Sequence, residues 1–482
     1  MATYTFTETH HHQHSQNRFS VIPTAERLGA SPKYKGRHVT IAFLDSGFYP
    51  HPDIADRIVA FHDIHGEENR CDAAAEPQPH QWHGTQTVVA CAGDGLLSDG
   101  IYRGLADEAD LVLVKVSKQG RITDDSIEKG LQWVIDNREK YGIRILNISL
   151  GGDIDAMTND SRIDRLAEEL VEMGVVVTVA AGNSAETHPI PPANAPSVIT
   201  VGGYTDQNRF DPNVFDLYHS SFGPTADRIV KPEIIAPARY VAAPILPRTN
   251  DYHVAELLSM LAAAPDYSFR PLVQEYWIEA GLNADVLNMD DEAVRKIVGY
   301  GLQRRKVVAT HYQHVDGTSF AAPVTASVVA QMLEANPDLL PAAVKNILIT
   351  TAERIKNSSA IRQGYGVINA KKAVDLAEAE KHHFDPNVHH PPRRNGASLR
   401  FSFHDDSARS VNLVGDFNGW DPSGVSLERS SNGFWYATIT AERKTRYRYK
   451  FLIDGHRWVE DPTHGMKEED GFGGFHSILD VN

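Results

Sequence analysis

The sequence lacks the features that would place it in a membrane or on a nucleic acid. It has no run of about 18 apolar residues, so no stretch is long enough to form a spanning helix. Acidic residues outnumber basic ones by 63 to 47, which gives a formal net charge of −16. An acidic chain has no general electrostatic attraction for nucleic acids or anionic lipids, so we expect neither as a partner.

Cysteine and targeting signals are equally scarce. Cys71 and Cys91 allow at most one disulfide, and two free thiols in a reducing compartment are the expected state. The N-terminal segment MATYTFTETHHHQHSQNRFS has no basic start followed by an apolar stretch, as a secretory signal would have. The predicted location is therefore the cytoplasm.

The region 38–202 shows a regular alternation of two patterns. Five apolar runs rich in Val and Ile are predicted to be buried strands: HVTIAFL, ADLVLVKV, IRILNIS, VVVTVAA and SVITVGG. Between them, TDDSIEKGLQWVIDNREK and NDSRIDRLAEELVEM have helical spacing, and Asn and Asp near the start of the second are typical of a helix cap. The alternation predicts an α/β fold, a parallel sheet with helices on both faces, whose sites lie at the carboxyl ends of the strands.

The rest of the 482 residues divides into further regions. Residues 240–306 contain about three short helical patterns, and we interpret them as a helical insertion in a domain that spans 21–380. The segment 381–396 is rich in Pro and His, as expected of a linker. Residues 397–482 contain short alternating strands broken by Asn-Gly, Asp-Gly and Gly-Gly turns, which predicts an all-β sandwich.

Three short motifs place reactive side chains at the predicted edge of the sheet. Asp45 ends the first strand in IAFLDSGF, His83 begins a helix in WHGTQTVVACAG, and Ser319 precedes an apolar helix in VDGTSFAAPVTA. Nucleophilic catalysis needs a hydroxyl, a base within hydrogen-bond reach and a carboxylate that orients the base. Each residue alone has an ordinary structural explanation as a turn, packing or capping residue, but together they predict a catalytic triad.

These motifs resemble those of the subtilisin-like serine proteases. In that family the triad residues follow one another along the chain in the order Asp, His, Ser, and subtilisin is a standard example of this order. The resemblance covers residues 20–378 apart from the insertion. It implies that Ser319 attacks the scissile carbonyl, that His83 accepts and returns the proton, and that Asp45 orients His83. VVVTVAAGN places Asn183 where the family uses an asparagine amide as an oxyanion donor, beside the backbone N–H of Ser319.

The same resemblance implies a substrate cleft. An extended peptide adds to an edge of such an enzyme as a further strand, so its backbone is recognised before its side chains. One edge is predicted at Ser149, Leu150 and Gly151 in NISLGGD, and the opposite edge near Lys118–Gly120. The primary specificity pocket is predicted to be neutral and restricted, with a wall formed by Ala181, Gly182, Ser184, Ile190 and Pro191.

The sequence departs from the secreted members of the family at its N-terminus and before the insertion. Asp45 comes too early to follow a signal and a large prosegment. FSVIPTAE at 19–26 resembles the start of the mature domain and also the short N-terminal extension of intracellular members. We therefore expect residues 1–20 to form either a disordered tail or a plug across the cleft. IAPARYVAAP has Ala238 where the family usually has Gly. The insertion that follows is expected to be a lid, a docking surface for a regulatory protein, an oligomer contact or a structural elaboration.

The C-terminal motifs NLVGDFNGWDP, RYKFLIDGHRWVEDP and HSILDV resemble the early-set β-sandwich that binds glycogen or starch, as in branching enzymes and the β subunit of AMP-activated protein kinase. In that family two tryptophans stack on sugar rings while a lysine and an asparagine bond the hydroxyls. Trp420, Trp458 and Lys450 match those positions, whereas Ser477 or His476 stands at the asparagine. The sandwich is predicted either to bind a glucan or to act as a plain docking module.

The predicted function is a serine endopeptidase, restrained by the tail or the insertion. No cofactor is expected, and the histidine clusters at 10–14 and 382–390 are interpreted as incidental because they lack a fixed ligand geometry. Many subtilases hold structural calcium, but no loop here can be assigned to it. The alternative is a catalytically silent scaffold that binds protein segments or glucan. A glucan-processing enzyme is not predicted, because no paired carboxylates accompany the sandwich.

Overall fold

The fold was analysed in a computed structural model of the chain. Its residues form two compact units, one of Ile245–His314 with residues 19–21 and one of Ile22–Pro244 with residues 315–481. The structure describes residues 19–68, 71, 76–152, 156–381, 392–395, 398–429, 434–440, 445–464, 466–472 and 474–481. The predicted tail or plug at 1–20 and the histidine cluster at 382–390 therefore lie almost wholly or wholly outside the described residues.

A parallel sheet forms the centre of the larger unit, and its strand order is β7-β6-β5-β4-β1-β3-β2. Its strands are β1 (Thr40–Asp45), β2 (Ile58–Asp63), β3 (Asp110–Lys115), β4 (Ile143–Ile148), β5 (Val176–Ala180), β6 (Ile199–Thr205) and β7 (Ile234–Pro237). Short extended pieces outside this order are Asp216–Leu217, Gly223–Pro224, Val230–Lys231 and Val241–Pro244. Since β1 lies between β3 and β4, the ends of β1 and β4 meet at the middle of one edge.

The predicted α/β class is confirmed, and the five apolar runs are β1 and β3 to β6. Two strands of the sheet were not predicted. β2 is only partly buried, with Asp63 as its one fully buried residue, so its sequence shows no continuous apolar run. β7 has four residues and is too short to give a pattern.

Helices of the larger unit cover both faces of the sheet. In the described residues, the helices longer than a single turn are α1 (Trp82–Ala92), α2 (Asp124–Tyr141), α3 (Arg162–Glu172), α4 (Asn250–Ala263), α5 (Asp266–Tyr276), α6 (Asp291–Arg304), α7 (Thr318–Ala335), α8 (Pro341–Thr351) and α9 (Ala370–Lys381), of which α4 to α6 belong to the smaller unit. Single turns form at Thr24–Arg27 and Ala360–Gln363.

Side chains of β1 alternate between two cores. This explains why the sequence of the strand is an uninterrupted run of apolar residues. Ile41 and Phe43 belong to the core that contains the apolar residues of α1 and α7. Ala42 and Leu44 belong to the core that contains those of α2 and α3. Successive side chains of a strand point to opposite faces, so a strand covered on both sides must be apolar throughout.

The start of α3 differs in detail from the prediction. Its cap is Ser161, whose Oγ accepts from Asp164 N at 3.1 Å, and not the Asn and Asp that precede it. A serine hydroxyl satisfies one of the unpaired N–H groups of the first turn as well as those residues would.

The smaller unit contains the three helices predicted for the insertion, α4 to α6, followed by the antiparallel pair β8 (Val307–Ala309) and β9 (Tyr312–Val315). It has its own apolar core, in which Leu258, Phe269 and Val298 are buried. Thr249 and Asp290 cap α4 and α6 through their side-chain oxygens.

The C-terminal region is an antiparallel β-sandwich. Its strands are β10 (Arg393–Asn395), β11 (Ser398–His404), β12 (Val411–Gly415), β13 (Val425–Ser426), β14 (Glu428–Arg429), β15 (Phe434–Thr440), β16 (Thr445–Ile453), β17 (Arg457–Val459), β18 (Lys467–Glu469) and β19 (Phe475–Val481). One sheet has the order β10-β11-β15-β14; the other has the order β13-β12-β16-β19-β18, with β17 paired to β16. The predicted linker at 381–396 thus contains the strand β10. Phe401, Tyr449 and Phe451 are among the residues that fill the core between the sheets.

Candidate active site

A buried carboxylate at the end of β1 holds the imidazole at the start of α1. Asp45 is 2% exposed, and its Oδ1 and Oδ2 lie 2.8 and 3.1 Å from His83 Nδ1. Ser46 N donates to the same Oδ1 at 2.7 Å and fixes the carboxylate from the backbone side. Because a carboxylate only accepts, Nδ1 carries the proton, and Nε2 of His83 is left as the basic nitrogen.

The surroundings of His83 set the pKa and the orientation of its imidazole. Burial lowers the pKa of the imidazole, but the charge of Asp45 and the hydrogen bond to it outweigh burial, so the pKa lies above its ordinary value. The ring also has an edge-on contact with Trp82, with centroids 5.3 Å apart. His83 is therefore held in one orientation and becomes a competent base once the pH exceeds this raised pKa.

The glycine after His83 allows this approach of helix and strand end. A Cβ built on Gly84 would lie 2.3 Å from the carbonyl oxygen of Gly47 and 2.9 Å from the Phe48 ring. Real side chains do not approach a carbonyl so closely, so any larger residue at 84 would push α1 away from β1. The glycine of the HGT motif is thus explained by the contact that brings Asp45 to His83, whereas a Cβ built on Gly47 of the DSG motif would lie 2.7 Å from His80 Cδ2.

The third predicted residue, Ser319, lies in the first turn of α7. The chain enters this turn through Gly317, whose φ of 137° is a conformation that favours glycine. Gly317 N donates to Ala238 O at 2.8 Å and fixes the entry angle. The first N–H groups of a helix have no partner within it, so the backbone at Ser319 is suited to receive an anion.

Ala238, which stands where the family usually has Gly, is accommodated by another glycine. Its methyl group is fully buried. A Cβ built on Gly203 would lie 2.3 Å from Ala238 Cβ, so the side chain missing at 203 leaves the room that Ala238 uses. The departure from the family pattern therefore leaves the backbone next to Gly317 in place.

The hydroxyl of Ser319 points to the neighbouring strand end. Ser319 Oγ donates to Ser149 O at 3.3 Å, and Ser149 Oγ donates to Ser319 O at 2.8 Å. No hydrogen bond joins Ser319 to His83 among the described residues. The two residues are nevertheless neighbours, because Phe320, next to Ser319, has its ring centroid 6.0 Å from that of His83.

The side chain of Asn183 is fixed at the end of β5. Its Oδ1 accepts from Thr318 N at 2.9 Å and from Thr318 Oγ1 at 3.1 Å. Thr318 Oγ1 in turn accepts from Gly182 N at 3.2 Å. With the oxygen held by two donors, the two N–H groups of the Asn183 amide remain for a ligand beside the start of α7.

The predicted substrate edge lies directly beside the nucleophile. Ser149 follows β4 and is buried, whereas Leu150 is half-buried and Gly151 is exposed. A Cβ built on Gly151 would lie 3.7 Å from Ile190 Cγ1, so the edge and the predicted pocket wall touch each other. Gly152 N donates to Pro191 O at 2.8 Å and fastens the wall to the edge.

The other predicted pocket residues lie at the end of β5. Ala181 is buried and its N–H donates to Val201 O at 3.0 Å. Gly182 O accepts from Ser221 N at 3.0 Å, and Ser184 N donates to Ser221 Oγ at 3.4 Å. Ala181, Gly182, Ser184 and Ile190 carry no charge, and the neutral pocket that they were predicted to form remains a prediction.

The predicted opposite edge, Lys118–Gly120, is a tight hairpin. Lys118 and Arg121 exchange two backbone hydrogen bonds of 2.8 and 2.9 Å. Gln119 and Gly120 between them have φ values of 49° and 80°, as in the type I′ turn of a two-residue hairpin loop.

The residues of the sandwich that match the sugar-binding pattern lie on one face. Tyr449 and Phe451 point into the core, so Lys450 and Leu452 point to the outer face of the same sheet. Trp458 lies opposite Leu452 in the register and is 44% exposed. Lys450 is paired with Asp470 and is mostly buried.

Trp420 occupies a strained turn at the edge of this outer face. Its φ of 62° is uncommon for a bulky residue. The conformation is held by a hydrogen bond from Trp420 Nε1 to Asp416 Oδ1 at 2.9 Å. His476 packs on the indole with ring centroids 4.5 Å apart.

The structure separates the two residues that stood at the asparagine position. Ser477 is fully buried, and its Oγ accepts from Asp461 N at 2.7 Å, so it faces the core. His476 is on the outer face, where it contacts Trp420. The reason is the strand period of two, which turns neighbouring residues to opposite faces.

Sequence reasoning assigned Thr318 only to the tight entry of the helix and did not name Ser221 or Thr87, and all three residues support the site. Thr318 fixes Asn183, Ser221 bonds to the strand end at Gly182, and Thr87 Oγ1 donates to Asp45 Oδ2 at 3.4 Å. The signal for Thr318 was present in the GTS motif, and Thr87 is one helical turn after His83. No sequence motif around Ser221 indicates its role, because its partner Gly182 is distant in sequence.

Within the described residues, no group of three or more His, Cys, Asp or Glu side chains is arranged to hold a metal ion. In the same part of the chain, no helix is long and apolar enough to cross a membrane. Cys71 and Cys91 are both free thiols, as predicted. The absence of a required cofactor and the cytoplasmic location remain predictions.

Comparisons with known proteins agree with this geometry. Residues 36–367 match the model of the subtilase family. The serine protease AprX of Bacillus subtilis (strain 168) is 32% identical over 70% of this chain and 66% of its own length. Subtilisin BL of Lederbergia lenta is 31% identical over 39% of this chain and 61% of its own length. The chain thus spans less than two thirds of the length of either relative.

A solved structure supports the fold. The crystal structure of fervidolysin from Fervidobacterium pennivorans, described as a keratinolytic enzyme related to subtilisin, covers 89% of this chain and 55% of its own with a TM-score of 0.51 and 18% identity. Residues 387–469 match carbohydrate-binding module 48, the isoamylase N-terminal domain. The sandwich is thus similar to that module over the matched residues, and the chain belongs to the subtilase family.

Proposed function

We propose that the chain is a serine endopeptidase whose catalytic residues are Asp45, His83 and Ser319. The observation that carries the proposal is the hydrogen bond between buried Asp45 and His83 Nδ1, beside a helix start that presents Ser319. This pair fixes the tautomer in which Nε2 is the base, as proton removal from a serine requires.

In the proposed reaction, the Ser319 hydroxyl first turns from Ser149 O toward His83 Nε2. Ser319 Oγ then attacks the scissile carbonyl carbon while His83 takes its proton, and Asp45 stabilises the imidazolium. His83 gives the proton to the leaving amine as the C–N bond breaks. Water repeats the sequence on the acyl-enzyme and releases the new carboxyl terminus.

Asn183 and the backbone of Ser319 are proposed to stabilise the oxyanion. The Asn183 amide keeps its N–H groups free because Thr318 holds its oxygen. Donors fixed before the reaction need no reorganisation as negative charge develops on the substrate oxygen. The loss of either donor would therefore lower the rate of the chemical step more than it weakens binding.

The substrate is proposed to bind as an extended peptide between two edges, residues 149–151 and the hairpin at 118–120. The side chain before the cleaved bond would enter the neutral pocket that Ala181 and Ile190 help to form. A pocket without charge has no partner for an acidic or basic side chain, so apolar or small side chains are expected there.

Hydrolysis of an unfolded protein such as reduced casein tests the proposal, with His83→Ala as the comparison. We expect hydrolysis by the wild type and a loss of several orders of magnitude in the variant. Trp82→Phe is the matched control, because it keeps the base and leaves an aromatic ring in the position that contacts His83. A wild-type protein as inactive as His83→Ala would support the silent scaffold that binds protein segments or glucan.

The sandwich is proposed to bind a glucan through Trp420, Trp458 and Lys450. The strained backbone of Trp420, held by Asp416, is the observation that favours this role, because such strain persists where the surroundings fix a side chain for a purpose. Co-sedimentation with glycogen tests it: the wild type should sediment and Trp420→Ala should not. Sedimentation of both proteins would remove Trp420 from the sugar site, and a wild type that does not sediment would leave a docking role only.

The unit formed by Ile245–His314 is proposed to restrict access of bulky substrates or to bind a regulatory protein. It has a core of its own, so deletion of 245–303 is a practical test. The gating proposal predicts faster cleavage of folded proteins by the deletion variant, with peptide hydrolysis unchanged. Unchanged cleavage of folded proteins would contradict it.

A further inference from the structure

Lys115, the last residue of β3, is a buried cation that the proposed reaction does not use. Its side chain is 1% exposed. Its Nζ lies 3.0 Å from Asp63 Oδ2, 3.2 Å from Glu67 Oε2 and 2.9 Å from Glu68 Oε1. Burial lowers the pKa of Lys115, but its hydrogen bonds to Glu68 and Asp63 outweigh burial and raise the pKa above its ordinary value. The lysine therefore stays charged and fixes the oxygens around it.

The loop that carries two of these carboxylates is held by its own backbone. Asp63 ends β2 and stands opposite Lys115 in the register of β2 and β3. Its carboxylate also accepts from the backbone N–H groups of His65, Glu67 and Glu68 at 2.9 to 3.0 Å. The fold of this loop thus depends on Asp63, and the side chains of Glu67 and Glu68 are available for other contacts.

The Glu67 carboxylate joins the buried lysine to the hairpin at 118–120. Its Oε2, which accepts from Lys115 Nζ, also accepts from Gln119 N at 3.3 Å. The hydrogen bond from Gln119 N lowers the pKa of Glu67, burial opposes it, and the hydrogen bond from Lys115 adds to the lowering. The carboxylate is therefore ionised at neutral pH, and a hydrogen bond to an ionised acceptor is stronger than one to a neutral acceptor.

A second contact of the hairpin leads back to the same lysine. A Cβ built on Gly120 would lie 3.3 Å from His80 Cβ, so the hairpin lies against His80. His80 Nε2 donates to Glu68 Oε1 at 3.2 Å, and this oxygen also contacts Lys115 Nζ. Both supports of the hairpin, Glu67 and His80, are thus fixed through Lys115.

The hydrogen bonds within the hairpin do not hold it on the protein. Lys118 and Arg121 exchange two backbone hydrogen bonds, which fix the shape of the turn. A cavity of about 660 Å³ lies between the hairpin and the loop after β2. Glu67 lines this cavity on the loop side and Gln119 on the hairpin side, so the hydrogen bond between them joins the two sides.

We propose that Glu67, held by Lys115, is a positioning residue for the substrate edge formed by the hairpin at 118–120. An extended peptide pairs only with an edge whose backbone groups are in register, and an edge that is already fixed spares the complex the entropic cost of ordering it. Loss of the Glu67 carboxylate frees the hairpin, so long substrates bind less tightly while the triad acts as before. The inference rests on the proposed function, because it assigns the hairpin to substrate binding.

The test compares the wild type with Glu67→Ala and with Glu67→Gln, whose amide oxygen can still accept from Gln119 N. KM and kcat are measured for a tetrapeptide 4-nitroanilide, which extends along the edges, and for an ester of a single amino acid, which reaches only the pocket. For the tetrapeptide, Glu67→Ala should raise KM by roughly three- to tenfold, the worth of one hydrogen bond, with kcat unchanged. Glu67→Gln should recover most of this loss. For the ester, all three proteins should agree.

The matched control is Glu76→Ala, which removes an exposed acid from the segment before α1 and should follow the wild type with both substrates. Three results would overturn the inference: an unchanged KM of Glu67→Ala for the tetrapeptide, an equal rise of KM for the ester, or no recovery in Glu67→Gln.

Hydrogen exchange of the segment 116–122, measured by mass spectrometry without substrate, does not depend on catalysis. Exchange in Glu67→Ala should be at least about threefold faster than in the wild type, because the hairpin opens more often, and Glu67→Gln should exchange like the wild type. Equal exchange in the wild type and Glu67→Ala would also overturn the inference. In a protein without hydrolysis, this measurement still decides whether Glu67 fixes the hairpin, so failure of the proposed function is distinguishable.

Discussion

The catalytic cleft and the outer face of the sandwich were both predicted from short motifs, but the structure supports them to different degrees. In the cleft, Asp45 and His83 are bonded and Asn183 is fixed with its donors free. On the sandwich, Lys450 is engaged by Asp470, and the predicted asparagine position divides into a buried Ser477 and a His476 that covers part of Trp420.

The difference follows from what each motif constrains. The HGT and GTS motifs contain glycines that a close backbone contact or an unusual φ requires, and a side chain at the glycine of DSG would meet His80, so a chain with these motifs must bring the site elements together. The aromatic and turn residues of the sandwich mainly build its core and hairpins. Motifs of the first kind predict a site, whereas motifs of the second kind predict a fold on which a site depends on a few side chains.

The largest expected effect is on kcat, and it distinguishes the catalytic cleft from the sandwich. Asp45→Asn should lower kcat by about 10⁴-fold, the size measured for the same change in a trypsin-like triad, because the imidazole loses its tautomer control. Glycogen binding of this variant should equal that of the wild type. Steady-state kinetics checks the expected fall in kcat, and co-sedimentation checks glycogen binding. A loss of glycogen binding would show that the cleft and the sandwich are not independent.

The next effect concerns the oxyanion donor. Asn183→Ala should lower kcat by about 10²–10³-fold with little change in KM, a cost of about 3–4 kcal/mol that is known from subtilisin itself. Ser184→Ala, the adjacent residue, is the matched control and should retain most activity. An Asn183→Ala variant with a raised KM and an unchanged kcat would place Asn183 in ground-state binding instead.

The pH profile of the cleft gives an intermediate effect. Because the pKa of His83 is raised by Asp45, kcat/KM should fall about tenfold per pH unit below a midpoint above the ordinary imidazole value of about 6.5. The residual activity of Asp45→Asn should show this limb at lower pH. The same raised pKa adds stability at pH values below the unfolded pKa, which is lost as the pH rises through the folded one. An unshifted limb in Asp45→Asn would contradict the role given to the carboxylate.

The smallest expected effect is on the affinity of the sandwich for glycogen. Trp458→Ala should weaken glycogen binding by about 1 kcal/mol, roughly fivefold, since one partly exposed ring is lost from the sugar face. Hydrolysis of peptides should not change. Binding measured against glycogen concentration checks this, and an unaltered affinity would remove Trp458 from the proposed site and weaken the glucan proposal.

Much of the larger unit was predictable because burial on two faces forces apolar runs. β1 and β3 to β6 were found for this reason, and the helices between them by their period. β2 was missed because only one of its residues is fully buried, and β7 because it is too short. The start of α3 was assigned to the wrong cap because several residues in one stretch can cap a helix.

The site was predictable to the level of residue identity but not of side-chain geometry. Asp45, His83 and Asn183 were named from strand ends and helix starts, whereas the direction of the Ser319 hydroxyl depends on a rotamer that no pattern encodes. The hydrogen bond of Ser221 N to Gly182 O and the pairing of Lys450 with Asp470 join residues 20 or more apart in sequence. Such contacts exist only once the fold has formed.

Covalent labelling with a fluorophosphonate tests the central claim most directly, because the reagent requires an activated serine and an oxyanion site but no knowledge of the substrate. The wild type should be labelled once the pH exceeds the His83 pKa, and Ser319→Ala should not be labelled at all. His83→Ala should react far more slowly. Equal labelling of the wild type and Ser319→Ala, or no labelling of the wild type at any such pH, would contradict the assignment of Ser319 as the nucleophile.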